Sequence, residues 1–220
     1  IKRTAVIAMF SDDEMLDELV LKGGNAMALI HKMSARASVD LDFSMKQDFP
    51  GGREGLLTRA QPALDRSFRE AGYQVFDLKV ESQPGALSED MAHFWGGYGN
   101  EFKLVSQEVY EEFKDDIDTL RRRAVNLGKG PKFLIDISRF EYIDGKQPEE
   151  FDGYQIYVYT PLMIACEKLR AICQQLPEYG PIVKRARAGS SRARDFFDLF
   201  TLIVQFKLNL TSPEALETLE

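Results

Sequence analysis

Cysteine and histidine are scarce, with two of each among 220 residues. Two cysteines cannot build a disulfide framework. Cys166 and Cys173 lie seven apart in a helical pattern, so they read as neighbours on one core-facing surface. His31 and His93 have no partner at zinc-like spacing, so any bound metal is expected to be a hard cation held by oxygen. No apolar run reaches the length of about eighteen residues that a membrane-spanning helix needs. No secretory leader pattern is visible, and the expected location is the cytoplasm, away from membranes. Positive charge is not in excess either. Lys and Arg total 28 against 35 Asp and Glu, a net charge of -7, which argues against a surface that grips nucleic acid everywhere.

The charge is nevertheless uneven. KRARAGSSRAR at 184 to 194 holds five cations and no acid, and RRRAVNLGKGPK at 121 to 132 holds five more. Charge blocks of this kind are often solvated loops or helix ends. Two of them in an acidic chain also offer local attraction for a phosphate-rich ligand.

The length suits one large domain or two modest ones. DDEMLDELV reads as a helix that Ser11 could cap, and NAMALIHKM as another after the glycines at 23 and 24. VDLDFSM alternates, placing Val39, Leu41 and Phe43 on one face of a strand and Asp40 and Asp42 on the other. PGGREG is a breaker cluster, followed by a helix that Pro62 could kink and then by the strand YQVFDLKVE. HFWGGYGNEFKLV is strand material around a bend, and its aromatics Trp95 and Tyr98 are expected in the core more than stacked on a ligand. EVYEEFKDDIDTLRRRAVNLG has acids early, bases late and Gly128 at its end, the charge order of a single helix. KFLIDISRFEY and GYQIYVYT are further strands. PLMIACEKLRAICQQL, opened by Pro161, and SRARDFFDLFTLIVQFKL are helices with broad apolar faces. The expected organisation is therefore a mixed α/β part at 1–160 and a helical part at 161–220.

One constellation carries chemistry. Carboxylates two apart on a strand project side by side and can hold one divalent cation or bridge two. Sixteen residues before Asp40, the Gly23-Gly24 turn offers unhindered backbone amides and a helix N-terminus to phosphate groups. A glycine turn, a helix and an Asp-x-Asp strand in that order suit metal-assisted phosphoryl transfer. Either half alone is a weak signal.

LKGGNAMALI followed by RASVDLDFS resembles the AbiEii/MenT group of nucleotidyltransferase toxins. Lys22, Gly23, Gly24, Asn25, Arg36, Ser38, Asp40 and Asp42 sit on its KGG and R-x-S-x-D-x-D pattern. EKLRA, with Lys168 and Arg170, and ARDFFDL, with Arg194, Asp195 and Asp198, match its two later segments. Asn25 stands where threonine or serine is commoner, and residues 45 to 130 match no motif of the group. The resemblance implies a nucleotidyltransferase-like mixed sheet with a helical C-terminal lobe and the nucleotide between them. It also implies Mg²⁺ or Mn²⁺ on Asp40 and Asp42 and an NTP whose phosphates meet residues 22 to 25. A third carboxylate on a neighbouring strand completes such sites, and Asp136 is the natural candidate, with Glu141 a weaker substitute. Lys168 would neutralise phosphate charge, paired with Asp195, which would orient it or help activate the acceptor hydroxyl.

The implied activity is transfer of a nucleotide to RNA, the tRNA 3′ end being the obvious acceptor, by the toxin of a toxin–antitoxin pair whose partner is an antitoxin protein. Two other readings keep the fold: transfer to a small molecule or protein, and a nucleotide-binding module without catalysis. Ser38 and Ser44 are places where an added phosphate would repel NTP.

Overall fold

The computed structural model describes residues 1–33, 40–85, 94–128, 130–182 and 189–219. The chain forms two compact units, Ile1–Val158 and Tyr159–Glu220.

The first unit is built on strands β1 (Val20–Lys22), β2 (Leu41–Ser44), β3 (Tyr73–Gln83), β4 (Gly97–Ser106), β5 (Phe133–Ser138), β6 (Gln147–Phe151) and β7 (Tyr154–Val158). They make one mixed seven-stranded sheet in the order β3-β4-β5-β2-β1-β7-β6. The pairs β2–β5 and β1–β7 are parallel and the remainder antiparallel. This is the mixed α/β architecture expected. The central strands alternate: Leu41 and Phe43 of β2, Phe133, Ile135 and Ile137 of β5, and Tyr98 and Phe102 of β4 are buried. Helices α1 (Lys2–Phe10) and α4 (Gly52–Glu70) supply aromatic partners for that face. Phe10 meets Phe43 edge-on at 5.7 Å, Phe68 meets Phe102 at 5.6 Å, and Phe102 stacks on Phe133 at 5.1 Å. Each such ring contributes about 1.5–3 kcal/mol by leaving water. Most apolar residues of β2, β4 and β5 thus take one face and leave Asp42 and Asp136 on the other, although Asn100 is buried on the apolar side.

Several local expectations change. Helix α2 (Asp13–Glu18) is capped by Asp12, whose Oδ1 accepts from the Met15 amide at 3.1 Å, and not by Ser11. Asp12 has the extended backbone an N-cap needs, whereas Ser11 closes α1 in a helical conformation. The stretch read as one helix ending at Gly128 is two, α5 (Gln107–Phe113) and α6 (Ile117–Arg123). Asp116 divides them by accepting from the Thr119 amide at 3.0 Å, a local bond that starts a new helix. Short strands β1 and β6 and helix α1 carry no pattern that the reading used.

The second unit holds α7 (Pro161–Cys173), a 3₁₀ turn (Pro177–Tyr179), α8 (Ala193–Phe206) and α9 (Pro213–Leu219). Thr160 caps α7 by accepting from the Met163 amide at 3.2 Å, with Pro161 at the first helical position. Cys166 is buried, Cys173 half-buried, and both are free thiols. Among the described residues, no helix is long and apolar enough to cross a membrane.

A bulge in β3 between Phe76 and Lys79 leaves Asp77 with a positive φ of 52°. Its carboxylate accepts from Arg121 Nε at 2.8 Å and Nη2 at 3.0 Å, and from Lys103 Nζ at 2.7 Å. Hydrogen bonding from Arg121, aided by Lys103 and opposed by burial, pulls the Asp77 pKa down to about 2. A carboxylate with a depressed folded pKa stabilises above its unfolded value and loses that contribution as pH falls through the folded one. Asp77→Asn is expected to unfold at lower urea than wild type near neutrality. The gap should be constant down to about pH 4 and close as pH falls towards about 2; urea titrations across that range check it.

Candidate active site

Three charged residues meet across three adjacent strands. Lys22 of β1 is the register partner of Asp42 of β2, and Asp42 that of Asp136 of β5. Directly opposed residues in a sheet share a face, with Cβ atoms about 5 Å apart. Because Leu41 and Phe43 point into the core, Asp42 and its two partners stand on the polar face. The glycine turn closes against them: Gly23 has φ +65°, and a Cβ placed on it would lie 2.8 Å from Asp42 Oδ2. The carboxylate therefore occupies the space that a side chain at 23 would take. Gly23 and Gly24 form the first turn of a helix, α3 (Gly23–Asn25), which continues as a π-helical turn (Ala26–Ile30), so the glycines open the helix themselves.

Asn25 is buried, and its Nδ2 donates to the Asp40 carbonyl at 2.5 Å. Its carboxamide is thus engaged by the main chain at the start of the Asp-x-Asp segment and holds that segment beside the turn. Asp40 itself lies in a bend just before β2. Burial pushes the Asp136 pKa up, and the nearby negative charge of Asp40 pushes it further; Lys22 and a hydrogen bond from Gln83 oppose both. Lys22 is buried, with Nζ 3.1 Å from Ser138 Oγ and 3.8 Å from Glu141 Oε1. Its ammonium is an internal counter-charge to the acids.

Among the described residues, no three His, Cys, Asp or Glu side chains are gathered closely enough to hold a metal ion. The donor chemistry nevertheless fits one. Asp42 and Asp136 are register partners, and Asp40 is close enough to act on Asp136. Carboxylate oxygens of this kind suit a hard divalent cation.

In the second unit, Lys168 of α7 lies between two acids of α8, with Nζ 2.9 Å from Asp195 Oδ1 and 3.2 Å from Asp198 Oδ2. Arg192 Nη1 reaches Asp195 Oδ2 at 3.1 Å. Burial opposes the charge on Lys168, yet hydrogen bonding and attraction from Asp195, then Asp198, hold its pKa above the ordinary lysine value. Helix α8 turns Asp195, Leu199 and Leu202 inward and leaves Phe196, Phe197 and Phe200 exposed, so part of its expected apolar face is turned outward.

A family model described as Nucleotidyl transferase AbiEii toxin, Type IV TA system, matches residues 5–219. The chain belongs to this family. No curated protein matches it. Among solved structures, JHP933 from Helicobacter pylori is similar at 18% identity and TM-score 0.49, over 94% of this chain and 66% of that one. The chain thus spans just under two thirds of that protein's length. An antigenic nucleotidyltransferase-like protein from Paracoccidioides brasiliensis is similar at 16% identity and TM-score 0.44, over 99% and 84% of the two chains. ANT(2")-Ia, solved with adenylyl-2"-tobramycin, is similar at 14% identity and TM-score 0.42, over 99% and 94%.

The AbiEii motif residues are divided between the two units and the stretches outside the described residues. Arg36 and Ser38 lie outside the described residues. Arg170 is half-buried on α7, and Arg194 is exposed in the first turn of α8. Ser44 is fully buried beside β1, so it is no open site for an added phosphate. Of the basic segment 121 to 132, Arg121 is engaged by Asp77 and Lys132 by Glu101 at 2.8 Å, so two of its cations already have acidic partners within the protein. Of the segment 184 to 194, residues 184 to 188 lie outside the described residues, and Arg192 is engaged by Asp195. Trp95 is 50% exposed, against expectation, while Tyr98 is buried with its hydroxyl on Asp48. Gln83 next to Asp136 was not anticipated, because a lone glutamine at a strand end has no spacing signal.

Lys168→Ala leaves Asp195 and Asp198 without their shared cation. The variant is expected to lose about 3–5 kcal/mol of stability. Neutralising both acids in the same chain, as Lys168→Ala/Asp195→Asn/Asp198→Asn, should recover most of it. Urea unfolding of the two variants beside wild type is the measurement, and equal stability of all three would contradict the assignment.

Proposed function

We propose that this AbiEii-family chain is a metal-dependent nucleotidyltransferase that moves a nucleotide from NTP to a hydroxyl of RNA, with the tRNA 3′ end as acceptor. It acts in the cytoplasm as the toxin of a pair whose partner is an antitoxin protein. The observation that supports the reading is the seating of Asp42 against the Gly23 turn and opposite Asp136, which brings a glycine turn and two carboxylates to one spot. Mg²⁺ or Mn²⁺ held by Asp42 and Asp136 with Asp40 would neutralise charge on the triphosphate.

The backbone amides of Gly23 and Gly24 take the phosphate tail, as amides at a helix start do. Lys22 balances the acids when no nucleotide is present, and Asn25 holds Asp40 in place. The acceptor oxygen forms a bond to the α-phosphorus while the bond from that phosphorus to the bridging oxygen breaks. Pyrophosphate leaves with the electron pair, and the hydroxyl proton passes to water. Lys168, Arg170 and Arg194 contribute positive charge for phosphates. Asp195 is engaged by both Lys168 and Arg192, so its role is to orient Lys168 together with Asp198.

A binding module without catalysis is favoured by one observation, the lack among the described residues of three acids gathered for a metal. Labelled NTPs incubated with the protein and total RNA separate the readings, and protein extracts or small hydroxyl compounds in place of RNA test the other acceptors. Asp42→Ala is expected to lower labelling of RNA by about a thousandfold or more and to weaken Mg²⁺–NTP binding in calorimetry, with its thermal unfolding still cooperative. Full activity in that variant would rule out the metal assignment.

A further inference from the structure

Beyond Asp136 the polar face of the sheet carries a hollow, and two glycines of β4 let its neighbours pack close beside it. β4 presents Gly97 and Gly99 at successive positions on that face, where they are register partners of Ser138 and Asp136 on β5. On the other side Gln83 of β3 pairs with Gly97. A Cβ on Gly99 would lie 2.0 Å from Gln83 Nε2, so the glutamine side chain lies over Gly99, from where it hydrogen-bonds Asp136. A Cβ on Gly97 would lie 2.0 Å from the Ile137 carbonyl, so the main chain there is close-packed and bare. Beside them lies a cavity of about 430 Å³ whose walls include Gln83, Pro84, Trp95, Asp136 and Ser138.

Its chemistry selects a ligand class. The lining holds one acid and no cation, so it repels phosphate. What it offers is a half-exposed indole, a proline ring, a carboxamide able to donate and accept, and a floor of bare glycine backbone. Those groups suit a flat, uncharged heterocycle with a hydrogen-bonding edge, which describes a nucleobase.

Sheet order then separates the two bases that the reaction brings together. The glycine turn lies at β1, the carboxylates at β2 and β5, and the cavity at β5, β4 and β3 with Asp136 on its near wall, so Asp42 stands between the turn and the cavity. At about 4.8 Å per strand, the cavity floor is roughly 10 Å past Asp42 on the side away from Gly23. In-line displacement keeps the leaving and attacking oxygens on opposite sides of the transferred phosphorus. A triphosphate tail at Gly23 therefore leaves the β4 side to the acceptor. Resting on the transferase reading above, we propose that this cavity binds the terminal base of a single-stranded RNA acceptor, stacked on Trp95 and read at its edge by Gln83.

Trp95 is the sole tryptophan of the chain, so its emission reports on the cavity alone. The full chain is titrated separately with each Mg²⁺–NTP and with a short single-stranded oligoribonucleotide bearing a free 3′ hydroxyl. The oligoribonucleotide is expected to quench saturably and the NTPs not. In labelling kinetics Trp95→Ala should raise KM for RNA by about 5- to 150-fold and leave KM for NTP unchanged, with Trp95→Phe restoring most of the loss. Quenching by NTP with a raised KM for NTP would assign the cavity to the donor base and overturn the proposal. So would labelling activity that is indifferent to Trp95→Ala, an outcome that leaves the transferase reading intact. Quenching by the oligoribonucleotide in a wild-type protein that labels nothing sinks the transferase reading and leaves the RNA-binding cavity standing.

Discussion

The carboxylate of Asp42 occupies the volume where residue 23 has no side chain, and the arrangement of the polar face follows from that contact. Any L side chain at 23 would press on the carboxylate and would also be strained at φ +65°. Seating Asp42 there sets Lys22 beside it and Asp136 beyond it through the sheet register, and the Asn25 carboxamide then draws Asp40 in behind. One backbone position without a Cβ thus brings a glycine turn and an acid pair together. The same device recurs at Gly97 and Gly99, where the missing side chains admit the Ile137 carbonyl and the Gln83 side chain.

Charge is held in the two units by different physics. In the first, acids crowd together: burial and the charge of Asp40 raise Asp136, which means that the folded protein bears a cost for keeping it ionised. Costs of this kind collect where groups are kept for chemistry and not for stability. In the second, Lys168 is matched by Asp195 and Asp198, and its raised pKa marks a satisfied cluster. Because a raised lysine pKa stabilises at all pH below the unfolded value and fades only as pH rises through the folded one, that cluster stays intact across neutral pH.

Periodicity made the main elements legible. The alternation in β2 and β5, the helix start at Thr160 and Pro161, and the amphipathic α8 were all readable, since each depends on neighbours within a few residues. The α5–α6 break was not, because Asp116 forms a cap that charge order along the helix does not disclose. Nor were β1, only three residues long, and β6, whose QPEEF carries no run of apolar residues alternating with polar ones. The exposure of Phe196, Phe197 and Phe200 ran against hydropathy, because the inward side of α8 is claimed by Asp195 and Asp198 for Lys168.

By itself the chain's order of residues determined the family, the mixed α/β class and the identity of the chemical groups: glycine turn, Asp-x-Asp, a lysine and two acids on later helices. Those signals are local, written in spacing along a strand or helix. Only the tertiary structure decided which groups touch. It turned Asn25 inward to the main chain, made Lys22 a buried counter-ion, placed Asp136 opposite Asp42 across 94 residues of chain, and brought Gln83 over Gly99. Contacts of that kind depend on strand order and register, and strands far apart in sequence carry no mark of which neighbour they will pair with.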